Sequence, residues 1–269
     1  MTVLRIFSYL PNPRIWKATI AARLAGLELE VRGARPDELT DWLWDFDARP
    51  LTEADRGDPR LARGPRTGFK DTLYKTDAFL DAHPFGTIPA AFSPDGAVGI
   101  FESNSIMRTI GRLAGPSAAL YGAGPYQASR IDSFLDAALV FARDGQLYLL
   151  ALTDRTVDAQ IQARAASGLS GFLAGIERAL SPDRPYIVGE AVTLADICFA
   201  CEMCLFSNER RRLAALGDKG LAPLFTPDLS QTYPRAMAHF ETLARHPAFS
   251  PDIGPYLAKI DAAAAEAVG

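Results

Sequence analysis

Cysteine is nearly absent from this chain of 269 residues: there are three, Cys198, Cys201 and Cys204, all within the segment CFACEMC. Three thiols on one short segment cannot build a disulfide framework. No apolar run reaches the roughly 18–20 residues that a membrane span needs. The N-terminal MTVLRIFSYLP lacks the apolar core and small-residue cleavage site of a signal peptide. Positive charge is in short supply as well. Lys and Arg number 28 against 32 Asp and Glu, a formal net charge of −4, which excludes the basic footprint of a nucleic-acid or acidic-lipid binder. Histidines are only three, at 83, 239 and 246, and no pair has metal-ligand spacing. The expectation is a cytoplasmic protein with no metal, no nucleic-acid partner and no membrane partner.

What is present is the composition of an ordinary globular protein, 48% hydrophobic and 22% charged, long enough for two small domains. VLRIFSY, bounded by LPNP, reads as a buried strand. A helix follows, with Ile15, Trp16, Ile20, Ala21, Leu24 and Leu27 at helical spacing and Gly26 near its end. LELEVRG returns as a second strand, completing a right-handed βαβ unit. Residues 37–72 then break the rhythm. They are rich in charge, Gly and Pro, carry an aromatic burst at Trp42, Trp44 and Phe46, and read as a long excursion rather than core. Its aromatics either bury against their own domain or serve function or a subunit contact.

Past the excursion come a short helix, HPFG, two strands joined at Asp95-Gly96, and a helix with Ser103 as its N-cap and Gly115 near its end. The order β-α-β-α-β-β-α describes a thioredoxin-like open sheet over residues 1–114, with the insertion at 37–72. RLAGPSAALYGAGP is the Gly/Pro-rich linker, and residues 122–269 read as an all-α C-terminal domain of four to six helices. Within that domain Thr193 and Asp196 form a capping box that opens the helix carrying CFACEMC. Spacing of three places the cysteines on one helical face, within an arc of about 120°. They read as small core residues rather than cluster ligands.

The chemistry concentrates in HPFGTIPAAFSPDGAVGIFESNSI, residues 83–106. Gly-x-Ile-Pro at a strand start points to a cis bond before Pro89, which leaves the Ile88 backbone at the sheet edge for an extended peptide. FES then opens a helix. The Ser103 hydroxyl and the first-turn amides suit a carboxylate, and Glu102 suits an ammonium.

GTIPAAFSPDGAVGIFESNSI resembles the glutathione-site signature of cytosolic glutathione transferases, and YIVGEAVTLADI resembles their second signature. Within that superfamily the pattern is most similar to the transferase-like N-terminal domain of the elongation factor 1 gamma subunit, through YLPNPRIWK, FESN and VTLADI. The resemblance covers nearly the whole chain except 37–72. It implies the glutathione transferase fold, with glutathione as co-substrate in the first domain and an electrophile pocket largely in the second. It implies that Ile88, beside Pro89, pairs with the cysteinyl unit. Glu102 and Ser103 would hold the γ-glutamyl end, and Lys75 the glycyl carboxylate.

Such enzymes ionise the thiol of glutathione by donating a hydrogen bond to the thiolate. Counting back from the first helix, Asn12 occupies the donor position of the serine-type classes. Tyr9 lies where the tyrosine-type classes keep theirs, Ser8 or no side chain is the remaining option, and Arg14 could add positive potential. The leading expectation is a homodimeric detoxifying transferase, or a glutathione-dependent lyase or etherase, acting on a small hydrophobic electrophile. Residues 37–72 could cover part of the electrophile's pocket. The alternative is a non-catalytic scaffold or interaction module.

Overall fold

The computed structural model describes residues 2–65 and 68–266 of the chain. It divides into two compact units, Met1–Ala114 and Gly115–Gly269.

In the first unit, strand β1 (Thr2–Phe7) buries Leu4, Ile6 and Phe7 and leads into helix α1 (Pro13–Ala25). Asn12 caps α1, Pro13 occupies its first turn, and Gly26 ends it at φ 66, the left-handed conformation that glycine adopts without penalty. Strand β2 (Glu28–Arg32) runs parallel to β1. After the insertion come helix α3 (Asp77–Ala82), strands β7 (Ala90–Phe92) and β8 (Gly99–Phe101), and helix α4 (Ser103–Ala114). The main sheet has the order β2-β1-β7-β8, with β7 antiparallel to both neighbours. That is the thioredoxin-like arrangement, and Gly96 turns the β7–β8 hairpin at φ 75.

The insertion is core, which corrects the reading of residues 37–72 as an excursion. With β6 (Leu73–Lys75) just past its end, it builds a second four-stranded sheet from β3 (Trp42–Trp44), β4 (Arg49–Pro50) and β5 (Ala62–Arg63), in the order β4-β3-β6-β5, with helix α2 (Glu53–Gly57) between β4 and β5. Residues 66–67 of the insertion lie outside the described residues. Leu39, Trp44, Ala48 and Leu73 share one apolar cluster with Phe7, Phe79, Ala90 and Phe92 of the main unit. Trp44 sits at its centre, edge-on to Phe7 and Phe79, with its indole N–H donated to the Leu39 carbonyl at 3.1 Å. Phe46 stacks edge-on to Phe92 and lies under the Arg5 guanidinium. Arg5 and Arg32 both grip Glu30, and both reach Asp47 of the insertion.

The second unit is all-helical: α5 (Pro125–Thr153), α6 (Ala159–Ala179), α7 (Leu194–Phe206), α8 (Leu213–Gly217), α9 (Leu229–Thr232), α10 (Pro234–Arg245) and α11 (Ser250–Glu266). Of these α8 and α9 are about a turn each. Helix α5 packs along α6 and α7, and α10 packs on α6, α7 and α11. Every residue of α7 except Leu205 is buried. The capping box forms as expected: the Asp196 carboxylate accepts from the Thr193 amide at 2.8 Å and hydroxyl at 2.9 Å. It also takes the Ile187 amide at 3.0 Å and His239 Nε2 at 2.8 Å, so one buried acid ties α7 to the preceding loop and to α10. Cys198, Cys201 and Cys204 are buried and unbridged on α7, where burial pushes the Cys204 thiol well above its usual value. Among the described residues, no helix is long and apolar enough to cross a membrane, and no cluster of three His, Cys, Asp or Glu could hold a metal.

Because Trp44 is 1% exposed, Trp44→Ala is expected to destabilise the protein by about 3–5 kcal/mol. Denaturant unfolding monitored by circular dichroism measures the loss. A loss below about 1 kcal/mol, the range of a surface substitution, would mean the insertion is peripheral.

Candidate functional site

Sheet register assembles the site. Ala90 of β7 pairs with Phe7 of β1 on one side and with Phe101 of β8 on the other. The next residues outward are therefore Ser8, Pro89 and Glu102, side by side at one end of the sheet. The bond Ile88–Pro89 is cis, as the Gly-x-Ile-Pro pattern led one to expect, and Leu10–Pro11 is cis as well. Ile88 is half-buried and Pro89 buried.

The loop that follows β1 is held down on its far side. The Ser8 amide donates to the Arg32 carbonyl at 3.1 Å, and the Leu10 amide to the Ala34 carbonyl at 2.8 Å. This approach requires a glycine at position 33: a Cβ there would lie 1.7 Å from the Ser8 carbonyl oxygen. Asn12 is 1% exposed. Its Oδ1 accepts the Arg14 amide at 2.9 Å as the cap of α1, and its Nδ2 donates to Ser8 Oγ at 2.9 Å. Tyr9 is half-buried and packs against the apolar cluster around Trp44, and Arg14 is half-buried.

At α4 the structure corrects the expected cap. Helix α4 begins at Ser103 itself, and Glu102 is the residue before it, left-handed at φ 65, with its carbonyl accepting the Ile106 amide at 3.0 Å. Such a backbone costs a non-glycine residue on the order of 1 kcal/mol and is held where the surroundings over-determine it. The Glu102 side chain is exposed, while Ser103 is 7% exposed.

Lys75 ends strand β6 and is buried. Its ammonium donates to the Gly86 carbonyl at 2.5 Å and sits 4.3 Å from the centroid of the Trp44 ring. That cation fastens the HPFG turn to the aromatic cluster.

Three buried polar groups escaped the sequence reading. Lys17 of α1 reaches Ser103 and Asn104. Its signal was available, since position 17 falls on the apolar stripe of Pro13, Ile20 and Ala21. Glu209 lies fully buried in the second unit and accepts from the Tyr148 hydroxyl at 2.6 Å and the amides of Leu224 at 2.8 Å and Phe225 at 2.6 Å. Burial raises its carboxyl despite those donors, and the loop it holds gives no local sequence signal. His83 stacks on Phe101 at 4.9 Å and shares a contact of 3.3 Å between Nε2 and Thr87 Oγ1. Its Nδ1 has no hydrogen-bond partner among the described residues.

With this geometry in hand the relatives can be placed. Residues 131–247 match the family described as the C-terminal domain of glutathione S-transferase. A solved glutathione S-transferase from Methylobacterium radiotolerans, in complex with glutathione sulfonate, superposes with a TM-score of 0.60 at 21% identity, over 94% of this chain and 95% of that one. Together these show the fold: the chain has the glutathione transferase fold, and its residues 131–247 match that family's C-terminal domain. Among curated proteins the chain is similar to a probable elongation factor 1-gamma 1 of Arabidopsis thaliana, 27% identical over 67% of this chain and 40% of that protein. The elongation factor 1-gamma of Carassius auratus matches at 24% identity over 93% of this chain and 45% of its own length. The chain thus spans less than half the length of these curated relatives.

His83 supplies a pH test. Burial, reinforced by the nearby Lys75 charge, lowers its pKa from 6.5 to about 4. The folded state favours the neutral ring, so this stabilisation is complete above pH about 6.5 and is lost as pH falls through about 4. Between those values the wild type is expected to lose thermal stability relative to His83→Phe, which keeps a ring against Phe101 without the titration. Parallel melting profiles for the two proteins would contradict the assignment.

Proposed function

We propose that this chain is a glutathione-transferase-fold interaction module that binds glutathione, or a related γ-glutamyl thiol peptide, without ionising the thiol efficiently. Binding would use the Ile88 backbone beside Pro89, the Ser103 hydroxyl and the Glu102 carboxylate. The observation that carries the reading is the state of Asn12. The first-choice thiol donor is 1% exposed, and its amide holds both the α1 cap and Ser8. Similarity to elongation factor 1-gamma proteins supports an interaction role. Self-association as a homodimer and a cytoplasmic setting belong to the same reading. Exposed Val140 and Leu147, two turns apart on α5, support the former.

A second reading has one specific observation in its favour. Ser8 Oγ accepts from Asn12, so the Ser8 hydroxyl hydrogen points elsewhere and could serve a thiolate. The chain would then be a detoxifying transferase or a glutathione-dependent lyase, joining glutathione to a small hydrophobic electrophile. Calorimetric titration with glutathione, followed by conjugation of a generic aromatic halide, separates the two. The module reading expects saturable binding with conjugation at background in the wild type, Asn12→Ala and Tyr9→Phe alike. Turnover above background that falls in Ser8→Ala, or in either of the other variants, would replace it with the transferase.

A further inference from the structure

Residues 218–228, between α8 and α9, run without helix or strand. One buried acid holds them down. Glu209, in the turn Ser207–Arg211 that follows α7, is 0% exposed. Its carboxyl takes the amides of Leu224 at 2.8 Å and Phe225 at 2.6 Å, and lies 2.6 Å from the Tyr148 hydroxyl of α5. Gln162 of α6 bonds the same hydroxyl, and its Nε2 donates to the Ala222 carbonyl at 2.6 Å. The segment is thus gripped at Ala222 and at Leu224 and Phe225, with the Phe225 ring 6.4 Å from that of buried Phe206.

The grip has no counter-charge. Among the described residues no Lys, Arg or His pairs with Glu209, whose partners are the three donors above. Arg210 of its own turn pairs with Asp261 of α11, and Arg155 beyond α5 pairs with Asp218 of the segment. Tyr148 is the titratable group that faces the carboxyl. Asp144 of α5, Glu202 and Cys204 of α7, and Asp252, Tyr256 and Lys259 of α11 make no contact with it, nor do Arg211, Arg212, Lys219 and Asp228. A buried carboxylate without a cation is costly, and taking a proton removes that cost. Burial accordingly raises the Glu209 carboxyl. A tyrosine oxygen accepts as well as donates. With a proton on Glu209, the Tyr148 oxygen can accept it and turn its own hydrogen to the Gln162 carbonyl oxygen, while Gln162 keeps Ala222. One directed chain of hydrogen bonds then runs from the acid back to the segment it holds.

We propose that residues 218–228 are a proton-latched strap, closed while Glu209 is protonated and released to bare Phe206 when that proton passes to water. An ionised Glu209 draws the Tyr148 hydrogen back to itself, which breaks the chain to Gln162. It also leaves a buried charge that water can solvate only if the strap lifts. In the released strap Glu209 titrates near the ordinary glutamate value of about 4.3. In the closed strap it holds its proton more tightly. Closure is therefore at full strength below about pH 4.3 and is lost as pH rises through the raised value of the closed state.

Amide hydrogen exchange on the full chain, followed by NMR and corrected for intrinsic rates, tests this between about pH 5 and about pH 8. In the wild type, protection at Leu224 and Phe225 is expected to fall by about fivefold or more across that range, while the α5 amides around Tyr148 keep theirs. Glu209→Gln carries no titrating charge, and its protection at the same two amides is expected to change less than about twofold. The lost acceptor raises the baseline opening of the variant, so the pH response is the readout. Equal responses in the two proteins, or wild-type protection that stays constant or rises with pH, overturn the proposal. Should Glu209→Gln fail to fold, the wild type decides alone. A fall confined to the strap supports the latch, and a fall shared with α5, or no fall, overturns it.

Discussion

The pairing of Ala90 with Phe7 on one side and Phe101 on the other is the constraint from which the candidate site follows. It brings the end of β1, the cis-proline step and the start of α4 to one edge, although they are far apart in sequence. Everything that stabilises the row stabilises the site. Below it lies the aromatic cluster of Phe7, Trp44, Phe79 and Phe92, which the insertion completes. Beside it, Lys75 ties the HPFG turn to the same indole. The second sheet is therefore a foundation for the candidate edge, even though none of its residues other than Lys75 was a site candidate.

Buried polar groups do the fastening in both units. Asn12, Lys17 and Lys75 act in the first, and Asp196 and Glu209 in the second. Each is expensive to desolvate and each joins segments that hydrophobic contact alone would leave free to slide. The consequence for chemistry is that side chains of the right type for catalysis are already engaged. Asn12 is the clearest case: an amide that caps a helix through its oxygen and holds a serine through its nitrogen is poorly suited to following a sulfur through a reaction.

Much of this was legible in the sequence. The cis step at Ile88-Pro89, the Asp95-Gly96 hairpin, the capping box at Thr193 and Asp196 and the buried cysteine face are all encoded by short-range patterns, which is why they could be read. The insertion could not be read this way. Its strands are two or three residues long, too short for alternation to show, and Trp-Leu-Trp in β3 carries no polar partner residue to mark a face. Lys75 lies on a strand that is only Leu-Tyr-Lys, too short to show a pattern. Ser103 was read one step out of register because the left-handed backbone at Glu102 moves the cap to a residue type that seldom adopts it. The partners of Lys17 and Glu209 lie far away along the chain, and no local pattern announces them.

The proposed reading separates fold from activity. The glutathione transferase fold is present, and Asn12, the expected thiol donor, is bound into that fold through both ends of its amide. The most direct test is the thiol pKa of glutathione bound to the chain, followed through the ultraviolet absorbance of the thiolate as pH is raised. A binding module leaves it near the value of a free thiol, about 8.5. A pKa lowered by two units or so, with the thiolate formed at neutral pH, would contradict the account and make this chain an enzyme.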